Sequence, residues 1–220
     1  MRRFVIMASA IVLAATALAL AQADLEPARF TAGSLPQVSP LAVSGGDVLL
    51  SVAVSRAGAV GAVDVMRSTP PFTDAVVEAV RTWKFSPQLD AKRQPMDARV
   101  LVDAVVGSPS FRGPTLGTPP KDVAPADTRV PFPAQTSAPA YPADARFAGT
   151  VLVEARVDPT GHVAGVTAIR SNPPFDAVAL DATRAWTFRP AKGADAPPST
   201  YAYVVFVFRQ AVLSAAPAKP

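Results

Sequence analysis

Apolar and polar residues alternate along three short stretches in each half of the chain, a period of two that is typical of β-strands with one buried face. In the second half this alternation predicts three strands, over residues 151–157, 163–170 and 201–208. Between the second and third strands, the period changes to that of an amphipathic helix. The predicted buried face of that helix consists of Phe175, Val178, Ala179, Ala182 and Trp186.

The first half of the chain carries the same pattern at a distance of 103 residues. Residues 48–87 align with residues 151–190 without a gap, and sixteen of these 40 pairs are identical. Both Trp residues of the protein, Trp83 and Trp186, fall on one equivalent position. The period exceeds that of solenoid repeats, which is roughly 20 to 50 residues, so the sequence predicts two copies of one small domain.

Each copy follows the order strand, strand, helix, strand, which indicates the α+β class. A right-handed crossover from the second strand places the third strand beside the first, in the order 2-1-3, with all neighbours antiparallel. We therefore expect two small domains, each a three-stranded antiparallel sheet with one main helix packed on one face. In such a sheet the second and third strands are edges with unpaired backbone groups.

Composition divides the chain further, because 8 of the 34 residues from 107 to 140 are Pro. Such a run resists both helix and sheet and predicts a semi-extended linker. The alternative is that part of it packs against both copies through Phe111 and Phe132. The predicted segments are an export segment 1–23, a short lead 24–34, the first copy 35–106, the linker 107–137, the second copy 138–210 and a tail 211–220.

The N-terminal segment has the features of a secretory signal peptide. Arg2 and Arg3 precede an uncharged run over residues 4–23, which ends in two Ala-x-Ala cleavage-type sequences. The alternative is an uncleaved anchor, because about 20 apolar residues can span a bilayer. Either interpretation exports the rest of the chain.

Composition and charge exclude several classes of function. The chain has no Cys and a single His, which excludes a thiol nucleophile and argues against a zinc site. Without Arg2 and Arg3 the formal charge falls from +4 to +2, and no run of Lys or Arg indicates nucleic-acid binding. No carboxylate pair, phosphate loop or Ser–His arrangement indicates an enzyme. We expect no catalytic residue, cofactor, metal or small-molecule substrate.

The third strand of the second copy is the predicted binding site. At an offset of 103, Tyr203 and Val205 are assigned to the helix-covered face, and Phe206 takes the open-face position of Asp103. Edge strands are usually blunted by charge, as by Arg99 and Asp103 in the first copy, whereas this strand carries none. Because it is apolar on both faces, its open face is either covered or adhesive. The predicted peptide-binding residues are Tyr201, Ala202, Tyr203, Val204, Val205, Phe206, Val207 and Phe208.

The order and spacing of these motifs resemble those of the TonB C-terminal domain. The resemblance covers residues 141–209 and, in a more diverged form, residues 36–106. It is carried by Tyr141-Pro142, Asp158-x-x-Gly161, Arg170-Ser171, Phe175-Asp176 and Arg184-x-Trp186-x-Phe188-x-Pro190. The resemblance implies a periplasmic protein that grips an extended segment of an outer-membrane receptor by strand addition, related to TonB-dependent transport.

Two interpretations of function follow. One is a periplasmic module that binds an extended protein segment at a sheet edge. The other is a structural or scaffolding envelope protein whose domains pair with each other or with a second chain, as the apolar last strand allows. The sequence leaves open whether the two domains pack together. The Pro-rich stretch separates the copies rather than preceding them, which argues against energy transduction by this chain alone.

Overall fold

The computed structural model describes residues 25–42, 44–108, 115–117, 129–192 and 200–210. The predicted export segment 1–23, Phe111 and the tail 211–220 lie outside these residues. The described part contains two helices, α1 (Thr73–Arg81) and α2 (Phe175–Arg184), and neither has the length and apolarity needed to span a bilayer. Its strands in the first half are β1 (Arg29–Ala32), β2 (Gly46–Val54), β3 (Val60–Arg67), β4 (Lys84–Ser86), β5 (Gln88–Leu89), β6 (Pro95–Met96) and β7 (Ala98–Val106). Those that follow are β8 (Thr115–Gly117), β9 (Phe132–Ala138), β10 (Gly149–Val157), β11 (Val163–Arg170), β12 (Thr187–Arg189) and β13 (Thr200–Phe208).

The long strands of both halves form one six-stranded sheet in the order β11-β10-β13-β7-β2-β3. Within each half the order is the predicted 2-1-3, and the neighbours are antiparallel. The two halves join through β13 and β7, which run parallel and pair residues 202–207 with residues 101–106. The prediction of two separate three-stranded sheets is therefore wrong, because the third strands pair with each other.

The two helices cover opposite faces of this sheet, which we name face A (under α1) and face B (under α2). Neighbouring residues of a strand point to opposite faces. On β13, Tyr203 and Val205 belong to the core that contains Val76 of α1, whereas Val204 and Phe206 belong to the core that contains Ala179 of α2. The apolar residues on both sides of β13 are thus explained, since each side lies in one of the two cores.

The third strands of the two halves are offset by 102 residues, not by 103. Val48 of β2 pairs with Ala104, and Val151 of β10 pairs with Phe206, so position 206 is the equivalent of position 104. A shift of one residue moves every side chain of a strand to the other face. The predicted assignment of faces along 201–208 is therefore inverted, and Phe206 lies under its own helix.

Both the predicted lead and the predicted linker contain strands. β1 pairs with β4, and β9 pairs with β12 at equivalent positions 103 residues later. The indole N–H of Trp83 donates to the carbonyl of Ser34 at 2.8 Å, and that of Trp186 donates to the carbonyl of Ser137 at 2.9 Å. Phe132 is buried in the face-B core, in agreement with a packed linker segment.

Candidate functional site

The predicted binding strand lies in the middle of the sheet. All nine residues of β13 pair with β10 on one side, and six of them pair with β7 on the other. From Ala202 to Phe208 every residue is buried, and Tyr201 is half-buried. The prediction that this strand is an unpaired edge is therefore wrong. Binding of a peptide along residues 201–208 requires β7 to leave first, and it stays a prediction.

Separation of β13 from β7 would open both cores. Leu49 and Leu101 of the first half are fully buried in the face-B core, beside the helix of the second half. In the same way, Leu152 and Tyr203 of the second half are fully buried in the face-A core. Full burial of one such side chain contributes about 1.5–3 kcal/mol. The junction is thus a shared core as well as a strand pair, which favours the closed arrangement.

Residues 25–42, which we name the strap, cover face A of the second half. Arg29 Nη2 donates to Glu154 Oε1 at 2.5 Å, and the backbone N–H of Phe30 donates to the Tyr203 hydroxyl at 2.9 Å. That hydroxyl in turn donates to Glu154 Oε2 at 3.2 Å. Burial, together with the charge of Glu154, raises the pKa of Tyr203 above its ordinary value, so the hydroxyl stays protonated.

The sequence predicted that Asp103 blunts an edge strand, but Asp103 lies inside the molecule. It is 1% exposed on β7, and its Oδ1 has no hydrogen-bond partner. Burial raises its pKa well above the ordinary value, and the nearby charge of Asp47 adds to this effect against the opposing charge of Arg67. Arg67 is itself bound to Asp47. An acid in this position is costly when it is charged, and it is a structural rather than a binding group.

Two outer edges of the sheet remain, β3 and β11. The N–H of Asp158 donates to the carbonyl of His162 at 2.9 Å, so residue 162 directs its backbone toward β10. Through the alternation of the antiparallel ladder and the bulge near Arg156, Val166 and Ala168 direct their N–H and C=O groups away from the sheet. The equivalent residues on β3 are Val63 and Val65, so each edge offers main-chain groups to another strand.

The two edges differ in charge. Asp64 lies in the middle of β3, where Arg99 binds its carboxylate. By contrast, β11 has no charged residue from Val163 to Ile169. Edge strands that lack charge, Pro or a cover are the ones that accept another strand. We therefore regard β11 as the candidate site. Both the strand and its lack of charged residues are visible in the sequence, whereas the prediction compares the charges of the third strands.

The described residues contain no group of three or more His, Asp or Glu side chains arranged to hold a metal ion. His162 lies in the turn before β11, where its Nδ1 is 2.9 Å from the Thr160 hydroxyl. The carboxylate of Asp158 accepts hydrogen bonds from the Thr160 hydroxyl and the His162 N–H, which lowers its pKa. This cluster closes the turn and orients the start of β11.

Comparison with known proteins gives one match. A family model of the Gram-negative bacterial TonB protein C-terminal region matches residues 34–104 and residues 137–209. No curated protein and no solved structure matches the chain. The two matched segments correspond to the two halves of the six-stranded sheet, and each includes the helix and the Trp of its half.

Proposed function

The chain belongs to the TonB C-terminal domain family, and from that premise we propose that it binds an extended segment of an envelope protein as an added strand on β11. The domains of this family are periplasmic and non-enzymatic, and they have a role related to TonB-dependent transport. The segment that the family implies belongs to an outer-membrane receptor. In this proposal the chain is an exported binding protein of that transport machinery.

The observation that carries the proposal is the edge of β11, where Val166 and Ala168 direct their main-chain groups away from the sheet and no residue from Val163 to Ile169 is charged. The strand that the sequence singled out is occupied on both sides, so an incoming segment meets β11 or β3 first. An added strand gains its affinity from main-chain hydrogen bonds, and Val166 and Ala168 supply these groups. Because both halves of the chain contribute strands to one sheet, β11 is held at the edge of a six-stranded sheet.

A second function is favoured by the shared cores. The two halves complete each other through β13 and β7, so the apolar surface that could attract a partner is already covered within the chain. A chain of this kind can serve as a compact structural element of the envelope without binding an extended segment. The two functions differ in whether β11 binds such a segment.

The test replaces an outward N–H on each edge by Pro. Ala168→Pro removes a docking group from β11, and Val65→Pro makes the equivalent change on β3. Edge positions tolerate Pro, and thermal unfolding followed by circular dichroism checks that both variants fold. The probe is a set of fluorescein-labelled peptides that span the periplasm-facing extended segments of TonB-dependent receptors, and the measurement is fluorescence anisotropy.

We expect Ala168→Pro to weaken peptide binding by about tenfold or more, because the peptide loses roughly one main-chain hydrogen bond to β11. Val65→Pro should leave binding unchanged. If only Val65→Pro weakens binding, the docking edge is β3. If the parent protein binds none of these peptides, the structural function is the better account.

A further inference from the structure

Two arginine side chains flank the β11 edge on face A. Arg156 lies on β10, in the same parity as Glu154, and is exposed. Its Nε is 4.0 Å from the position that a Cβ atom would take on Gly165, so the side chain extends across β10 toward β11. Arg170 ends β11, with its guanidinium carbon 5.5 Å from the ring centroid of Phe30 in the strap. Both cations therefore stand beside the free strand.

Neither of these guanidinium groups forms an ion pair within the part of the chain that the structure describes. Glu154, on the same face of β10, is 4% exposed and is already bound by Arg29, and Asp176 at the end of β11 accepts hydrogen bonds from Ser171 and Asn172. Neither carboxylate is paired with Arg156 or Arg170. A guanidinium that lacks a carboxylate can bind one from a partner, through charge-assisted hydrogen bonds.

The first half lacks this arrangement. The residue equivalent to Arg156 is Ala53, and the residue equivalent to Arg170 is Arg67, which is largely buried and bound to Asp47. The basic character therefore distinguishes β11 from β3, although the two strands occupy equivalent positions in the sheet.

Face B of the same edge is apolar. The side chains of Val163, Val166 and Ala168 pack partly buried against the core beneath α2, beside Val178 and Ala182. A strand added to β11 would place every second side chain beside this apolar margin. The intervening side chains would lie on face A, beside Arg156 and Arg170.

We propose that β11 selects an extended segment in which acidic residues alternate with small apolar residues, the acids lying on face A. This inference rests on the proposed strand addition and adds the chemistry of the partner. Arg170 pairs with Leu152, four residues before Arg156 on β10, which corresponds to roughly 13 Å along the strand. Two acids four positions apart in the partner therefore match the two cations.

The test compares two blocked, fluorescein-labelled peptides of about seven residues, which is the length of a typical strand. In one, Val alternates with Glu, Thr and Glu; in the other, Lys replaces both Glu. We expect the acidic peptide to bind about tenfold more tightly at low salt, and the preference to shrink as salt is raised. The double variant Arg156→Glu/Arg170→Glu should reverse the preference.

The matched control has the same change in net charge at a distance. Arg81→Glu/Lys92→Glu alters two exposed cations of the first half and should leave the preference unchanged. If this control removes the preference as well, the attraction comes from net charge and the inference fails.

Ala168→Pro separates this inference from the proposal on which it rests. If the parent protein binds both peptides equally and Ala168→Pro weakens the binding of both, strand addition on β11 stands and the acidic selectivity is wrong. If the acidic preference survives Ala168→Pro at full affinity, the peptide binds through charge alone, and the proposed strand addition fails together with the inference.

Discussion

Replacement of Tyr203 by Phe removes one oxygen atom from the interface between the strap and the second half. In the parent protein the Tyr203 hydroxyl accepts from the N–H of Phe30 at 2.9 Å and donates to Glu154 at 3.2 Å. Without it, the Phe30 N–H loses its acceptor, and a carboxylate that is 4% exposed loses a donor.

The expected cost follows from these two losses. A buried polar group left without a partner costs about 1–3 kcal/mol, and more when the group is charged. Arg29 still binds Glu154 at 2.5 Å, which limits the second loss. We therefore expect Tyr203→Phe to lower the free energy of unfolding by about 1–3 kcal/mol. The measurement is urea unfolding, with intrinsic Trp fluorescence and circular dichroism followed in parallel.

Tyr201→Phe is the matched control. Tyr201 lies two residues earlier on the same strand and face, but its hydroxyl has no hydrogen-bond partner within the described part of the chain. Its removal should change stability by less than about 0.5 kcal/mol. Equal effects of the two substitutions would contradict the arrangement of strap and second half, because in two independent domains both hydroxyls would face water.

Further predictions concern the cores, a buried charge and a turn. Trp83→Ala and Trp186→Ala should each lower the free energy of unfolding by about 3–5 kcal/mol, since both indoles are buried; urea unfolding with circular dichroism checks this. Because the folded-state pKa of Asp103 is raised, stability should rise as pH falls from 7 through that pKa, down to the range where the unfolded carboxyl titrates. Asp103→Asn should be more stable than the parent at pH 7, and this advantage should vanish at low pH. If the difference in melting temperature between parent and variant is the same at pH 7 and at low pH, Asp103 is not charged in the folded protein. Gly161→Ala should destabilise by about 1–3 kcal/mol, because Gly161 has φ of +91° and an added Cβ would lie 1.9 Å from the Phe188 carbonyl oxygen; thermal unfolding tests it.

Local patterns were sufficient for the elements of each half. The alternation predicted strands that coincide with β10, β11 and β13, and the helical face predicted the burial of Phe175, Ala179 and Trp186. The 2-1-3 order follows from chain connectivity and handedness, which are also local properties.

The junction between the halves could not be predicted in this way. The pairing of β13 with β7 joins residues about 100 positions apart, and no turn or spacing in the sequence marks it. The face of each β13 residue was also ambiguous, because a strand that is apolar on both sides fits either register. The sequence did indicate that its second face is either covered or adhesive, and the strap and the core beneath α1 cover it.

The candidate site depended on the same junction. A strand without charged residues is adhesive only if it lies at the edge of a sheet. Because β13 pairs with β7, it is not an edge strand. The charge comparison remains valid when it is applied to the second strands, because β3 carries the charged Asp64 whereas residues 163–169 of β11 carry no charge. The sequence placed Arg170 only in the Arg170-Ser171 motif and did not single out Arg156, since exposed arginines are common on strands.

Hydrogen exchange of backbone amides, measured by NMR, tests the central claim most directly. The N–H of Gly107 donates to the carbonyl of Val207 at 2.9 Å, so the backbone groups of Tyr203, Val205 and Val207 face β7. These three amides should exchange only on global unfolding, whereas the amides of Val166 and Ala168 should exchange rapidly in the free protein. If Tyr203, Val205 and Val207 exchange as rapidly as Val166 and Ala168, β13 is an edge, and the single six-stranded sheet is contradicted.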